Sequence, residues 1–135
     1  MTRFLILLLP LIIAAALPSC SRKNGEYETW TRDSIAAFDR LSEVLESVVD
    51  KESAVAAVPK LEAATGEFES LARRREALKD RDTGGSTRLE EELGRAGESA
   101  TLRLFESMMQ IAHDPELAPI LQDAFRKISE EMKKV

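Results

Sequence analysis

The sequence predicts an all-α fold: an up-down antiparallel bundle of four helices, or of three long helices plus a short C-terminal helix. Three observations point there. Apolar residues recur at steps of three and four through most of the 135-residue chain, no stretch of similar length alternates with the two-residue period of a strand, and turn-forming residues cut the periodic region into four. Short connections then make successive helices run in opposite directions.

The first segment, about Thr31 to Val49, carries Ile35, Phe38, Leu41, Leu45 and Val48, with Ala37, Val44 and Val49 widening the stripe. Asp50 and Ser53 follow, short polar side chains suited to accept the free amides of a new helix start. The second segment, about Lys51 to Lys79, sets Ala54, Val58, Leu61, Thr65 or Ala64, Phe68, Leu71 or Ala72, and Leu78 on one side. Pro59 interrupts it, and a proline in a helix interior costs about 3 kcal/mol. Either the first helix extends to Ala57 and Pro59 opens the second, or the second begins near Asp50 and is kinked. The second arrangement is preferred, because the first would make helix one much longer than its partners.

Asp80 to Ser86, with Gly84 and Gly85 at its centre, is the clearest break in the chain. Thr87 and Glu90 resemble a capping box, so a third helix is expected from Ser86 or Thr87. Its stripe is Leu89, Leu93, Ala96, Ala100, Leu104, Met108 and Ile111, broadened by Leu102, Phe105, Met109 and Ala112. That widening implies contact with more than one helix. His113, Asp114 and Pro115 end it, with Asp114 as an N-cap and Pro115 as the first residue of a fourth helix reaching about Lys133. Phe38, Phe68, Phe105 and Phe125 fall one to a segment, as expected if each helix donates one large anchor to a common core.

The beginning of the chain has a different character. Arg3 precedes a run from Phe4 to Leu17 that is apolar except at Pro10, the layout of a secretory signal and too short to span a bilayer comfortably. Leu17, Pro18, Ser19 and Cys20 then resemble the lipobox of bacterial lipoproteins, with Pro18 departing from the usual small residue. The resemblance implies cleavage before Cys20, attachment of a diacylglyceryl group to its sulfur, and sorting to the outer membrane by Ser21. Several acyl chains on one residue would give a stable anchor, since each buried CH₂ contributes roughly 0.8 kcal/mol. An uncut inner-membrane helix and a freely secreted protein are the alternatives. The organisation expected is a signal peptide over 1–19, a lipidated cysteine and flexible tether over 20–30, and a helical domain over 31–135. Tyr27 and Trp30 would either pack on the first helix or lie near lipid headgroups.

Without its first 19 residues the chain keeps 116, enough for one domain, and loss of Arg3 moves the formal charge from −5 to −6. That acidity argues against nucleic acid and leaves membrane contact to the acyl chains. Cys20 is the lone cysteine, so no disulfide forms within a chain.

Signals for chemistry are sparse. Glu90 to Glu92 beside Arg88 and Arg95, and Glu76 beside Arg73 to Arg75, read as solvated helix faces. Arg75 falls on the second stripe, where its stem would cover the core edge with the guanidinium in water, or the group would serve a partner. His113 is the single histidine. With Met108, Met109 or Met132 it could ligate haem or copper, but its place at a helix end favours capping. Phosphate loops, Cys-x-x-Cys pairs and nucleophile elbows are missing, so no cofactor, metal or catalytic residue is expected.

Asp50, Ser53, Ala54, Ala56, Ala57, Pro59, Lys60 and Leu61, with the start at Asp114, Pro115, Glu116 and Leu117, resemble small helical lipoproteins and secreted proteins of planctomycete-type bacteria. This implies the fold and an envelope location, and no active-site residue. The expected function is that of a lipid-anchored structural or protein-interaction module facing the periplasm. It would be tethered through acylated Cys20 and would contact an envelope protein or another copy. A periplasmic carrier or sensor is the alternative, and a large apolar pocket among Phe68, Phe105 and Met108 would favour it.

Overall fold

Among the described residues the chain turns first at Asp50, and the chemistry of that turn is fully formed. Asp50 Oδ1 accepts the Ser53 amide at 2.8 Å, while Ser53 Oγ accepts the Asp50 and Val49 amides at 3.0 and 2.9 Å. This reciprocal box starts a helix at Lys51 and thereby fixes where the preceding one must end.

The computed structural model describes residues 19–79 and 87–135, with side chains described over 25–79 and 91–135. Four helices follow in order: α1 Ser19–Glu46, α2 Lys51–Leu78, α3 Thr87–Ala112 and α4 Ala118–Met132. Among the described residues there is no strand, and the fold is the expected all-α up-down bundle of four helices, the last being the shortest. The apolar run Phe4 to Leu17, Pro18 of the lipobox-like segment, the Gly84-Gly85 break, and the side chains of Cys20, Thr87 and Glu90 lie outside what is described.

Cross-helix contacts give the arrangement. Trp30 reaches Leu71, Asp33 pairs with Arg74 and Arg40 with Glu67, so α1 and α2 form an antiparallel hairpin. Ile35 lies beside Gly97 and Glu46 pairs with Arg103, which makes α3 a parallel neighbour of α1. Lys51 with Glu116 and Arg75 with Val135 set α4 parallel to α2. Directions alternate along the chain, but α2 and α3 are not packed together and α3 meets α4 only sparingly. α2 and α3, consecutive in sequence, are therefore not neighbours in the bundle, and the extensive lateral packing joins α1 to α2 and α3, and α2 to α4.

The core is built from one apolar stripe of each helix. Leu41, Leu45, Ala54, Leu61, Phe68, Leu71, Leu104, Ile111, Leu121 and Ile128 are buried, and Phe38 and Phe125 pack against them. Phe38 and Phe68 face each other with ring centroids 5.3 Å apart. Ser34, Ser42 and Ser107 are buried as well, each donating its hydroxyl to the carbonyl four residues back. Small satisfied side chains of this kind take up little space between helices without leaving a polar group unpaired.

Three expectations need correction, and the choice left open at Pro59 is resolved as preferred. α1 begins well before Thr31, so the residues assigned to a tether form its first turns, and it ends at Glu46, leaving Val49 exposed. α2 runs unbroken from Lys51 through an exposed Pro59, which settles the two arrangements in favour of a start at Asp50. Asp114 Oδ1 accepts the Glu116 and Leu117 amides at 2.8 and 3.3 Å, but it caps a turn, and α4 itself opens at Ala118 with Pro119 in its first turn. Phe105 is no core anchor, since it is 60% exposed.

Candidate interaction surface

α3 has two apolar stripes and one close neighbour. Ala100, Leu104, Ser107 and Ile111 point inward, and Met108 packs beside them. Leu102, Phe105 and Met109 recur at the same three-and-four spacing, but rotated away, and they are 57%, 60% and 40% exposed. The broadening of the α3 stripe thus produces an uncovered face, because α4 is too sparsely packed against α3 to close over it.

This face leads into a shallow groove. Ala112 on α3 and Ala118, Pro119, Gln122 and Phe125 of α4 line a recess of about 350 Å³ where the two helices part. Ala112 continues the Leu102, Phe105, Met109 spacing, so stripe and groove form one apolar path along the outer side of α3. Phe68 is fully enclosed while Phe105 faces out, so Phe68, Phe105 and Met108 do not frame one cavity.

The opposite flank of α3 is ionic. Arg103 clamps Glu46 through two bonds of 2.7 Å and lies 3.7 Å from Asp39. Its hydrogen bond and charge hold the Glu46 carboxyl below its ordinary value, and Glu46 holds Arg103 above its own. Arg103 therefore ties α3 to α1 on the side away from the apolar stripe.

The end of the bundle that contains the α1 N-terminus has its own cluster. Trp30 is 8% exposed, donates its indole Nε1–H to the Leu71 carbonyl at 2.9 Å, and touches Tyr27 with centroids 5.7 Å apart. The Arg75 guanidinium lies 5.8 Å from the centre of the Trp30 ring and also donates to the main-chain oxygen of Val135. Arg75 is accordingly exposed at the core edge and engaged with an aromatic face, while Trp30 takes the packing role on α1.

His113 stands just past the end of α3, where its Nδ1 lies 2.7 Å from the Met109 carbonyl oxygen, the capping geometry expected from its position. Among the described residues no group of three or more His, Cys, Asp or Glu is placed to hold a metal. No described helix is long and apolar enough to cross a membrane. Cys20 lies in the first turn of α1, at the same end of the bundle as Tyr27, Trp30 and Arg75.

These features define an all-helical bundle with one uncovered apolar face. Comparison of the chain with protein-family models, with curated proteins and with solved structures finds no match.

Proposed function

We propose that this protein is a lipid-anchored helical interaction module of the bacterial cell envelope, held through acylated Cys20 and binding an envelope protein or a second copy through α3. The observation that carries the binding role is the row Leu102, Phe105 and Met109. It places three large apolar side chains in solvent side by side on one helix, whereas the other exposed ones among the described residues, Tyr27, Val49 and Val55, are scattered singly. A contiguous apolar row running into a groove is the usual mark of a docking surface, whereas single exposed apolar residues need no explanation. Phenylalanine and methionine are enriched at such interfaces, and a helix offers them as a rigid row.

The anchor rests on the sequence: an apolar run ending in the lipobox-like Leu17, Pro18, Ser19 and Cys20. Attachment at that end leaves the middle of α3 several turns from the membrane and open to a partner.

A photo-crosslinking side chain at position 105, compared with one at the exposed Glu43 of α1, tests the binding role in intact cells. A discrete adduct, to one protein or to a second copy, should form from position 105 and not from position 43. Equal or absent crosslinking at both positions would dismiss α3 as the docking surface.

A further inference from the structure

The end of the bundle nearest Cys20 contains a recess of about 500 Å³, within the range of small-ligand sites. Tyr27 and Trp30 form its aromatic side, and Arg75, Lys79 and Lys134 bring three cationic groups to it against one carboxylate, Glu76. That concentration of positive charge stands out on a chain whose formal charge is −5.

We propose that this recess binds the phosphodiester headgroup of an anionic membrane lipid. Guanidinium and ammonium groups are the natural partners of phosphate oxygens, and tyrosine and tryptophan favour the headgroup layer, where an apolar ring and a polar edge are both satisfied. The lysines keep their ammonium ends accessible. Lys79 lies 3.7 Å from Glu76 with both side chains exposed, and Lys134 is itself exposed, although the Glu131 it pairs with at 2.9 Å is largely covered. Arg75 gives one donor to Val135 and has others to offer, since a guanidinium carries five.

Position supplies the second argument. α1 is helical from Ser19, so Tyr27 and Trp30 stand about 10 and 15 Å along the axis from Cys20 at 1.5 Å per residue. An acyl anchor at Cys20 would hold the recess within about a Debye length or two of the lipid surface. The inference rests on the anchored reading for its biological setting. It adds that the protein lies against the membrane in one orientation, aromatic-cationic end inward, with the α3 stripe left free.

Trp30 is the only tryptophan, so its emission reports on the recess directly. The full chain carrying Cys20→Ser is mixed with vesicles of phosphatidylcholine alone or with added phosphatidylglycerol. The N-terminal apolar run and Arg3 are common to every variant, and the anionic lipid should change Trp30 emission beyond any change seen with phosphatidylcholine alone. Lys79→Gln with Lys134→Gln should weaken binding to the anionic vesicles roughly 10- to 30-fold, taking about fivefold per lysine near such a surface. Lys51→Gln with Lys60→Gln removes the same charge elsewhere and should leave the Trp30 response in place. Equal responses to both vesicles, equal losses in both double variants, or the same response to inorganic phosphate alone would overturn the proposal. Because this protein is unacylated, the outcome is independent of whether Cys20 is modified in cells, which intact mass decides separately.

Discussion

The Trp30 indole and the Leu71 carbonyl, 41 residues apart in sequence, meet in a buried 2.9 Å hydrogen bond that locks α1 against α2. A carbonyl inside α2 already serves the helix, and it takes this second donor because a carbonyl oxygen has two lone pairs. The ring thereby fills the end of the core and presents one face to Arg75. Trp30→Phe keeps most of the apolar volume but loses the donor, and should cost about 1–2 kcal/mol in urea unfolding. A variant as stable as the parent would mean that the bond contributes nothing.

Phe68 and Phe105 should behave as opposites. Phe68→Ala empties a fully enclosed site and should cost about 3–5 kcal/mol. Phe105→Ser changes a largely exposed side chain and should alter stability by no more than about 0.5 kcal/mol, while abolishing the crosslink from α3 placed at position 102. Thermal unfolding of the pair is the check.

Pro59 offers a gain. It is exposed within α2 and leaves the Val55 carbonyl without its helical donor. Pro59→Ala restores an amide there and should raise stability by about 1–3 kcal/mol, with increased helicity by circular dichroism. A loss of stability would show that the surrounding packing depends on the proline.

Acid should weaken the bundle through identifiable carboxylates. Hydrogen bonds from the Ser53 amide and hydroxyl region hold Asp50 below its ordinary value, and the bond from Arg103 does the same for Glu46. Both bind protons more readily when the chain is unfolded. Their contribution is therefore complete above about pH 5 and is lost as the pH falls through the lower folded values. Asp50→Asn and Glu46→Gln should each flatten the acid limb of a stability profile, and an unchanged slope below pH 4 would refute the assignment.

The helices were legible because their stripes are periodic and their ends carry local signals. Asp50 with Ser53 needs only three residues of separation, and the inward row Leu61, Phe68 and Leu71 needs only its spacing. The pairing of helices was not legible, since contacts such as Glu46 with Arg103 join residues 57 apart and no local signal says which helices become neighbours. The candidate surface was half legible. Leu102, Phe105 and Met109 are conspicuous in the sequence, but the same pattern describes a second buried face, and only the sparse packing of α4 against α3 leaves it open. Trp30 and Arg75 each stand out singly in the sequence, and nothing local announces that they meet. The helical start at Ser19 escaped because residues 21 to 28 have no apolar periodicity to reveal it.

The anchored interaction module stands or falls first on its anchor. The protein should be expressed with its own N-terminus in a bacterium, extracted from membranes, and measured by intact mass spectrometry beside Cys20→Ala. The account predicts a chain that begins at Cys20 and carries the added mass of a diacylglyceryl group, with that species absent from the variant. A chain that retains residues 1–19 in both proteins, or one that is cut but unacylated and released from the membrane, would contradict it.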